Sequence, residues 1–399
     1  MTEPVIAVEH QIRWRSRPMD GSDGDATAIH SDGGNGGGLA PAALKWDGAS
    51  LHVLDQTLLP ANVQYMVCSR ADDVADCISD MKVRGAPAIG AAAAYGMLLA
   101  ALEAQRELSG DLSASDLVSR LSEAADRLVT TRPTAVNLKW AVERVLSAAR
   151  EAAESGESGG DVLARAQAEA DAIAREDVEM NRRIGQHGAS LLGSDVTVLT
   201  HCNTGSLATV GYGTALGVIR AAVAMGRRVR VFAGETRPFL QGSRLTVYEL
   251  MSEGIDVTLV VDSAVASLMK QGRIDAAIVG ADRITANGDV ANKIGTYSIA
   301  CLARMHGVPF YVAAPTSTVD LSLTVPDEIP IEERSAEEVT HVAGKRVAPA
   351  GAKVFNPAFD VTPSCLVSAI ITEHGVLRPP YPEALRAVCR SQAEGASRG

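Results

Sequence analysis

The chain has 399 residues, 46% hydrophobic and 21% charged, with 37 Lys and Arg against 48 Asp and Glu for a formal charge of −11. This is the profile of a soluble globular protein large enough for two domains. It excludes an unaided nucleic-acid or anionic-membrane surface, because phosphate backbones demand clustered Lys and Arg and no such run occurs.

Residues 1–15 lack the apolar core of a secretory signal, so a cytoplasmic protein is expected. Residues 20–38 are rich in Gly, Asp and Ser and cannot bury enough apolar surface to offset their ordering entropy. Residues 1–43 are therefore read as a disordered extension, whose basic aromatic stretch HQIRWRSR (10–17) is either a docking peptide or, the favoured reading, a non-functional part of it. The segment LKWDGASLHVLDQTLL (44–59) predicts two short strands about an Asp47-Gly48 turn. Apolar residues at three- and four-residue intervals then predict helices over 71–81, 88–102, 113–128, 137–153 and 161–192, with a polar insert at 154–160. The stretch 88–102 is the most apolar, but it falls short of the roughly 18 to 20 residues of a membrane span and reads as a buried helix.

After Gly193 short β-rich runs at 196–200, 228–233, 256–261, 276–279 and 309–313 alternate with helical stretches, which implies βαβ units and a mostly parallel sheet. The expected fold is α/β: an α-rich domain with a short antiparallel sheet (44–192), a Rossmann-like catalytic domain (193–385) and a flexible tail (386–399). Six cysteines, at 68, 77, 202, 301, 365 and 389, form no C-x-x-C pair and share no His spacing, so neither a zinc cage nor a disulfide framework is written. Five of them read as small core residues.

In open parallel sheets ligands lie beyond the carboxyl ends of the strands, so the residues just after each run are the first candidates. His201-Cys202-Asn203-Thr204-Gly205-Ser206 follows the run 196–200 and leads through Gly211-Tyr212-Gly213 into a helix. The field of that helix start, with His201, is expected to favour a thiolate at Cys202. Gly211, Gly213 and Gly217 give G-x-G-x-x-x-G, too far from the strand for a dinucleotide fingerprint. The run AAIVGAD delivers Asp282 to a strand end, where partial desolvation raises a carboxyl and suits it to proton transfer. Asn292 and Lys293 follow within reach of a phosphate or sugar hydroxyl. Three segments, around Arg84, Arg132 and Arg237, set a guanidinium beside Gly or Pro, a common way to present a fork of donors to phosphate.

These residues resemble a known family, the 5-methylthioribose-1-phosphate isomerases of methionine salvage. Its wider group holds ribose-1,5-bisphosphate isomerases and regulatory subunits of a translation-initiation exchange factor. The resemblance spans about residues 44–376 and rests on VRGAPAIG (83–90), RPTAVNL (132–138), THCNTGSLAT (200–209), ETRPFLQGSRLT (235–246), GADRITANGDVANKIGTY (280–297), IPIEER (329–334) and FNPAFDVTP (355–363). It implies an aldose-ketose isomerase with Asp282 as proton donor and Cys202 as transition-state stabiliser or proton-transfer partner. It further implies substrate binding by Arg84, Gly85, Ala86, Arg132, Gln241, Asn292 and Lys293, a sugar phosphate as the small-molecule partner, a homodimer, and no metal or organic cofactor. Gly234 departs from the pattern, where Asp is often expected. Two alternatives stand beside this reading. A ribose-1,5-bisphosphate isomerase would need a cationic pocket for a second phosphate, and a non-catalytic sugar-phosphate or nucleotide-sensing protein would not need Cys202 and Asp282 together.

Overall fold

A computed structural model describes residues 40–107, 113–132, 136–325, 329 and 331–396. The glycine-rich head at 20–38 and the basic stretch at 10–17 lie outside the described residues. Strands β1 (Leu44–Trp46) and β2 (Leu51–Leu54) pair antiparallel about the Asp47-Gly48 turn, where Asp47 Oδ1 accepts the N–H groups of Ala49 and Ser50 at 2.9 and 2.7 Å. A third strand, β3 (Tyr65–Cys68), which the sequence reading did not include, pairs beyond β2 with Cys68 opposite Leu51.

Helices α1 (Ala71–Ser79), α2 (Ala86–Glu107), α3 (Ala114–Thr131), α4 (Val136–Glu154) and α5 (Gly159–Ala189) follow, with centres where the apolar spacing puts them. In α2 every residue from 88 to 101 is buried, so the one described helix long and apolar enough to cross a membrane is the core helix of a helical bundle. Small residues let its neighbours close in: a Cβ added at Gly90 would stand 2.9 Å from the Asn137 carbonyl oxygen on α4. Trp46 stacks on Tyr95 of α2 at 5.1 Å, which ties the small sheet to the bundle.

The second half alternates β4 (Asp195–Thr200), α6 (Ala215–Ala224), β5 (Arg228–Gly234), α7 (Val247–Ser252), β6 (Asp256–Val260), α8 (Val265–Lys270) and β7 (Ala276–Val279). It continues through β8 (Arg283–Thr285), β9 (Val290–Lys293), α9 (Thr296–His306), β10 (Phe310–Ala313), β11 (Val319–Asp320) and α10 (Glu337–Thr340). Strands β12 (His341–Val342), β13 (Lys345–Arg346), β14 (Phe359–Thr362), β15 (Ala369–Thr372) and β16 (Gly375–Leu377) lead to α11 (Tyr381–Ala396).

One sheet runs β16-β15-β10-β7-β4-β5-β6, parallel throughout except for β16 on β15. Ala276 and Ile278 face one apolar layer, with α6 and the last turns of α5, while Ala277 and Val279 face another, with α8 and α9. Both faces are covered, as an all-apolar strand such as β7 requires. The chain builds outward from β4 to β5 and β6, then returns to β7 on its other side, so a crevice opens beyond the carboxyl ends of β4 and β7. A smaller sheet, β11-β8-β9-β14, stands beside this crevice with Phe359 opposite Lys293.

Two expectations give way. The chain after residue 385 is helical to Ala396: Tyr381 and Leu385, one turn apart, are buried, and Tyr381 Oη donates to the Val367 carbonyl at 2.7 Å, which docks the start of α11. Of the five cysteines read as core, Cys68 and Cys77 are buried, but Cys301 and Cys365 are exposed and Cys389 is half-buried. Residue type alone does not say which face of a helix a cysteine occupies.

Candidate active site

One cleft beyond β4 and β7, with about 630 Å³ of space including its open mouth, is lined by Arg84, Gly85, Ala86, Arg132, Cys202, Gln241, Asp282, Asn292 and Lys293. The nine residues that the resemblance marks as catalytic or substrate-binding therefore meet at one place, although they span more than half the chain. Met81, Thr204, Ala208 and Phe359 also line it.

The floor comes from the turn into α2. Gly85 has φ +95°, and a Cβ there would lie 2.3 Å from the Ala208 carbonyl oxygen, so only glycine allows the bundle to approach the β4 loop this closely. Ala86 and Pro87 then open α2, whose first-turn N–H groups and positive dipole end suit an anion. Arg84 is buried and fixed by its surroundings: Nε donates to Gln56 Oε1 at 3.1 Å, Nη1 to the Asn203 carbonyl at 2.9 Å, and Nη2 to Asn203 Oδ1. A guanidinium has five N–H donors, so two remain for a ligand.

Arg132 ends α3, with Nη1 on Met81 Sδ at 3.2 Å and Nη2 3.5 Å from Glu332 Oε2. Its Nε, Gln241 Oε1 and Thr204 Oγ1 are buried polar atoms without a partner. Leaving such a group unpaired costs about 1 to 3 kcal/mol, so three of them on one cleft point to a polar ligand that completes them. Lys293, at the end of β9, holds its ammonium 4.7 Å from the Phe359 ring centroid and has no carboxylate in ion-pair contact among the described residues. Asn292 Nδ2 donates to Thr296 Oγ1 at 3.0 Å.

Burial pushes the Asp282 carboxyl above the ordinary carboxylate range, and it prevails over the opposing pull of Lys293, Arg132 and Arg84. Burial likewise pushes the Cys202 thiol up, against Arg84 and Lys293. Burial lowers the Lys293 ammonium, while Cys202 and Asp282 hold it up. The cleft thus sets a carboxyl disposed to carry a proton beside cations disposed to hold an anion, the pairing that acid-assisted chemistry on a phosphorylated substrate requires.

Two local expectations are corrected, and the departure at Gly234 is accounted for. The thiolate at Cys202 is not supported, because α6 starts only at Ala215 and His201 turns away. The His201 Nε2 lies 2.8 Å from the Ile294 carbonyl, its Nδ1 lies 3.4 Å from Thr236 Oγ1, and burial lowers its pKa. Arg237 lies outside the cleft, since Nη1 donates to the Pro238 carbonyl and Nη2 to the Glu338 and Val339 carbonyls. At Gly234 a Cβ would come 3.1 Å from Asp262 Oδ1, and Asp262 already accepts the N–H groups of Thr236 and Arg237 at 2.9 and 2.8 Å. A carboxylate from the β6 end thus serves that loop.

The sequence reading missed Gln56, Glu249 and Phe359. Glu249 is fully buried and accepts from Asn203 Nδ2 at 2.8 Å, Ser206 N at 2.7 Å and Arg220 Nη2 at 2.7 Å. Its available signal was a charged residue beside the core positions Leu245 and Leu250. The FNPAFDVTP stretch, to which no chemistry was assigned, supplies Phe359 beneath Lys293, and Asp360 accepts the N–H groups of Gly295 and Tyr297 at 2.8 and 3.1 Å at the start of α9.

Comparison with known proteins places the chain among relatives of known family and fold. Residues 82–379 match the model of the Initiation factor 2 subunit family. The chain is 58% identical to a methylthioribose-1-phosphate isomerase of Desulforudis audaxviator over 86% of its length and 96% of that protein. Its fold is similar to that of the 5-methylthioribose 1-phosphate isomerase from Pyrococcus horikoshii, with TM-score 0.80, 44% identity, and coverage of 88% of this chain and 96% of that one. It is also similar to a structure described as translation initiation factor eIF-2B, subunit delta, from A. fulgidus, with TM-score 0.76, 48% identity, and coverage of 87% and 100%.

Proposed function

The chain belongs to the Initiation factor 2 subunit family and is an isomerase, and on that premise we propose that it converts 5-methylthioribose 1-phosphate to 5-methylthioribulose 1-phosphate in methionine salvage. The observation that carries the reading is the convergence in one cleft of a buried carboxyl whose pKa burial raises, a buried thiol and three cations, Arg84, Arg132 and Lys293.

In this reading the 1-phosphate lies against the start of α2 at Gly85 and Ala86, with Arg84, Arg132 and Lys293 as charge-assisted partners. Gln241 and Asn292 take sugar hydroxyls. The anomeric oxygen carries phosphate, so no free aldehyde is available and the ring must be opened by force. Asp282 protonates the ring oxygen as its bond to C1 breaks, which leaves a cationic C1 shared with the phosphate-bearing oxygen. The hydrogen on C2 then reaches C1 and the C2 hydroxyl gives its proton to the Asp282 carboxylate, which restores the enzyme and leaves a 2-ketose 1-phosphate with no change in overall composition.

Two routes use Cys202 differently. In a hydride route the hydrogen moves directly with its electron pair and the buried thiol acts as an electrostatic partner. In a proton route Cys202, once ionised with help from Arg84 and Lys293, takes the C2 proton and returns it to C1. The non-ionic lining, including Met81, Ala86, Pro87 and Phe359, suits a methylthio group better than a second phosphate.

The test is proton NMR of the protein with 5-methylthioribose 1-phosphate in heavy water, with ribose 1,5-bisphosphate in a parallel sample. Conversion of the first alone is expected. Deuterium at product C1 selects the proton route, and turnover of neither compound by folded protein overturns the reading in favour of a sugar-phosphate-sensing protein.

A further inference from the structure

Past the end of β4 the chain turns through Cys202 at φ +63°, a left-handed conformation that few non-glycine residues adopt. Both backbone polar groups of Cys202 are taken by threonine hydroxyls from one segment. Its N–H donates to Thr236 Oγ1 at 2.9 Å, and its carbonyl accepts from Thr246 Oγ1 at 2.5 Å. Both threonines are completely buried.

Each hydroxyl is used as donor and acceptor at once, which fixes its orientation. Thr236 Oγ1 donates to the Gly234 carbonyl at 3.1 Å, so a lone pair is left facing the Cys202 N–H. Thr246 Oγ1 accepts from Asn203 Nδ2 at 3.3 Å, so its proton is directed to the Cys202 carbonyl. Thr236 is itself at φ +64°, an outlier for a β-branched residue, and Asp262 holds it there through the N–H groups of Thr236 and Arg237. Strained backbone of this kind persists only where surrounding contacts over-determine it, and it clusters at functional sites.

We propose that Thr236 and Thr246 are positioning residues for the reaction. Their two hydroxyls clamp the Cys202 peptide in the left-handed turn that brings this residue to the cleft, and Asp262 braces the clamp. Neither threonine lines the cleft, so both act through Cys202, and the proposal rests on the reading that Cys202 takes part in the isomerisation.

The experiment compares Thr236→Val and Thr246→Val, which remove the hydroxyl at nearly constant volume, with Thr236→Ser and Thr246→Ser, which keep it. Steady-state turnover of 5-methylthioribose 1-phosphate is measured beside the pH profile of Cys202 alkylation by iodoacetamide. The alkylated peptides are mapped by mass so that the exposed Cys301 and Cys365 are separated. The valine variants are expected to lose about 100-fold in kcat. KM should stay within about threefold, and the serine variants within about threefold of the parent in both constants. The Cys202 alkylation profile should shift in the valine variants alone.

Valine variants with native near-ultraviolet circular dichroism and kcat within about threefold of the parent would overturn the clamp. So would a change confined to KM, or serine variants as impaired as the valine ones. If one valine variant fails to fold, the other, with its serine partner, decides the matter. A parent protein that does not isomerise the sugar phosphate refutes the functional reading instead, and the alkylation profiles then decide the clamp alone.

Discussion

The helical bundle and the shell around the carboxyl end of β4 are equally buried but built from opposite materials. In α2, residues 88–101 are all buried, and Tyr95 alone among them carries a polar side chain. Around β4, Arg84, Asn203, Thr236, Thr246 and Glu249 are each 4% exposed or less and are held by side-chain hydrogen bonds to one another or to the Cys202 peptide. The bundle is stabilised by apolar area and volume, which many side-chain combinations supply. The shell is held by specific hydrogen bonds, which one arrangement supplies and the loss of a single donor or acceptor breaks. The first region should therefore answer to volume and ignore chemistry, and the second the reverse.

The largest effect is expected in the shell. Asp282→Asn is nearly isosteric and removes only the transferable proton, so kcat should fall by about 10² to 10⁴-fold while the melting temperature holds. A variant turning over at near-parental rate would take Asp282 out of the mechanism and leave the shell a structural feature. The bundle gives the opposite result: Leu98→Ala, at a fully buried position of α2, should cost about 2 to 5 kcal/mol in urea unfolding and leave kcat and KM of the folded fraction unchanged. Leu98→Met should cost less than about 1.5 kcal/mol. A smaller effect is expected from Arg84→Lys, which keeps the charge and loses the fork that engages Gln56 and Asn203. KM for the sugar phosphate should rise by about 10 to 100-fold, and unfolding stability should fall by about 1 to 3 kcal/mol as the buried acceptors on Gln56 and Asn203 lose their donors. If Leu98→Ala raised KM as much as Arg84→Lys does, the two regions would not be separable.

The same contrast explains what could be read from the chain alone. Apolar period located the bundle helices and five of the parallel strands, because in those segments burial and secondary structure leave one shared pattern. It did not locate β3, β8, β9 or β14, which are only three or four residues long, and β9 and β14 pair across a long stretch of chain: Lys293 meets Phe359 across a loop that no local pattern announces. The nine cleft residues were legible as strand-end carboxylate and thiol or as Arg and Gly loops. Gln56, Asn203 and Glu249 carried no such mark, since a buried amide or carboxylate that works only by holding another side chain looks in sequence like any polar residue. The direction of the Cys202 pKa shift was misread for a related reason: the sequence shows which residues are adjacent, but His201 points to the Ile294 carbonyl, and burial pushes the thiol up.

The smallest effect is expected where the two regions meet. Asp177 lies on α5 and is buried, and its Oδ2 accepts the Val210 N–H at 2.7 Å and Asn181 Nδ2 at 3.0 Å, so a helix of the bundle holds the loop that follows the cleft. Burial pushes its carboxyl up to about 7, against those hydrogen bonds. In the unfolded chain it titrates near 3.9, so between about pH 4 and pH 7 the folded protein holds a proton that the unfolded chain has released. The stability contributed is complete below about pH 4, is lost as pH rises through about 7, and stays lost above that. Asp177→Asn cannot ionise and should abolish this slope. Relative to the parent, the variant should gain on the order of 1 to 2 kcal/mol in urea unfolding between pH 5 and pH 8, with kcat unchanged. An offset that is the same at both pH values would show that Asp177 stays ionised in the fold. The boundary would then belong to the hydrogen-bonded shell rather than to the apolar bundle.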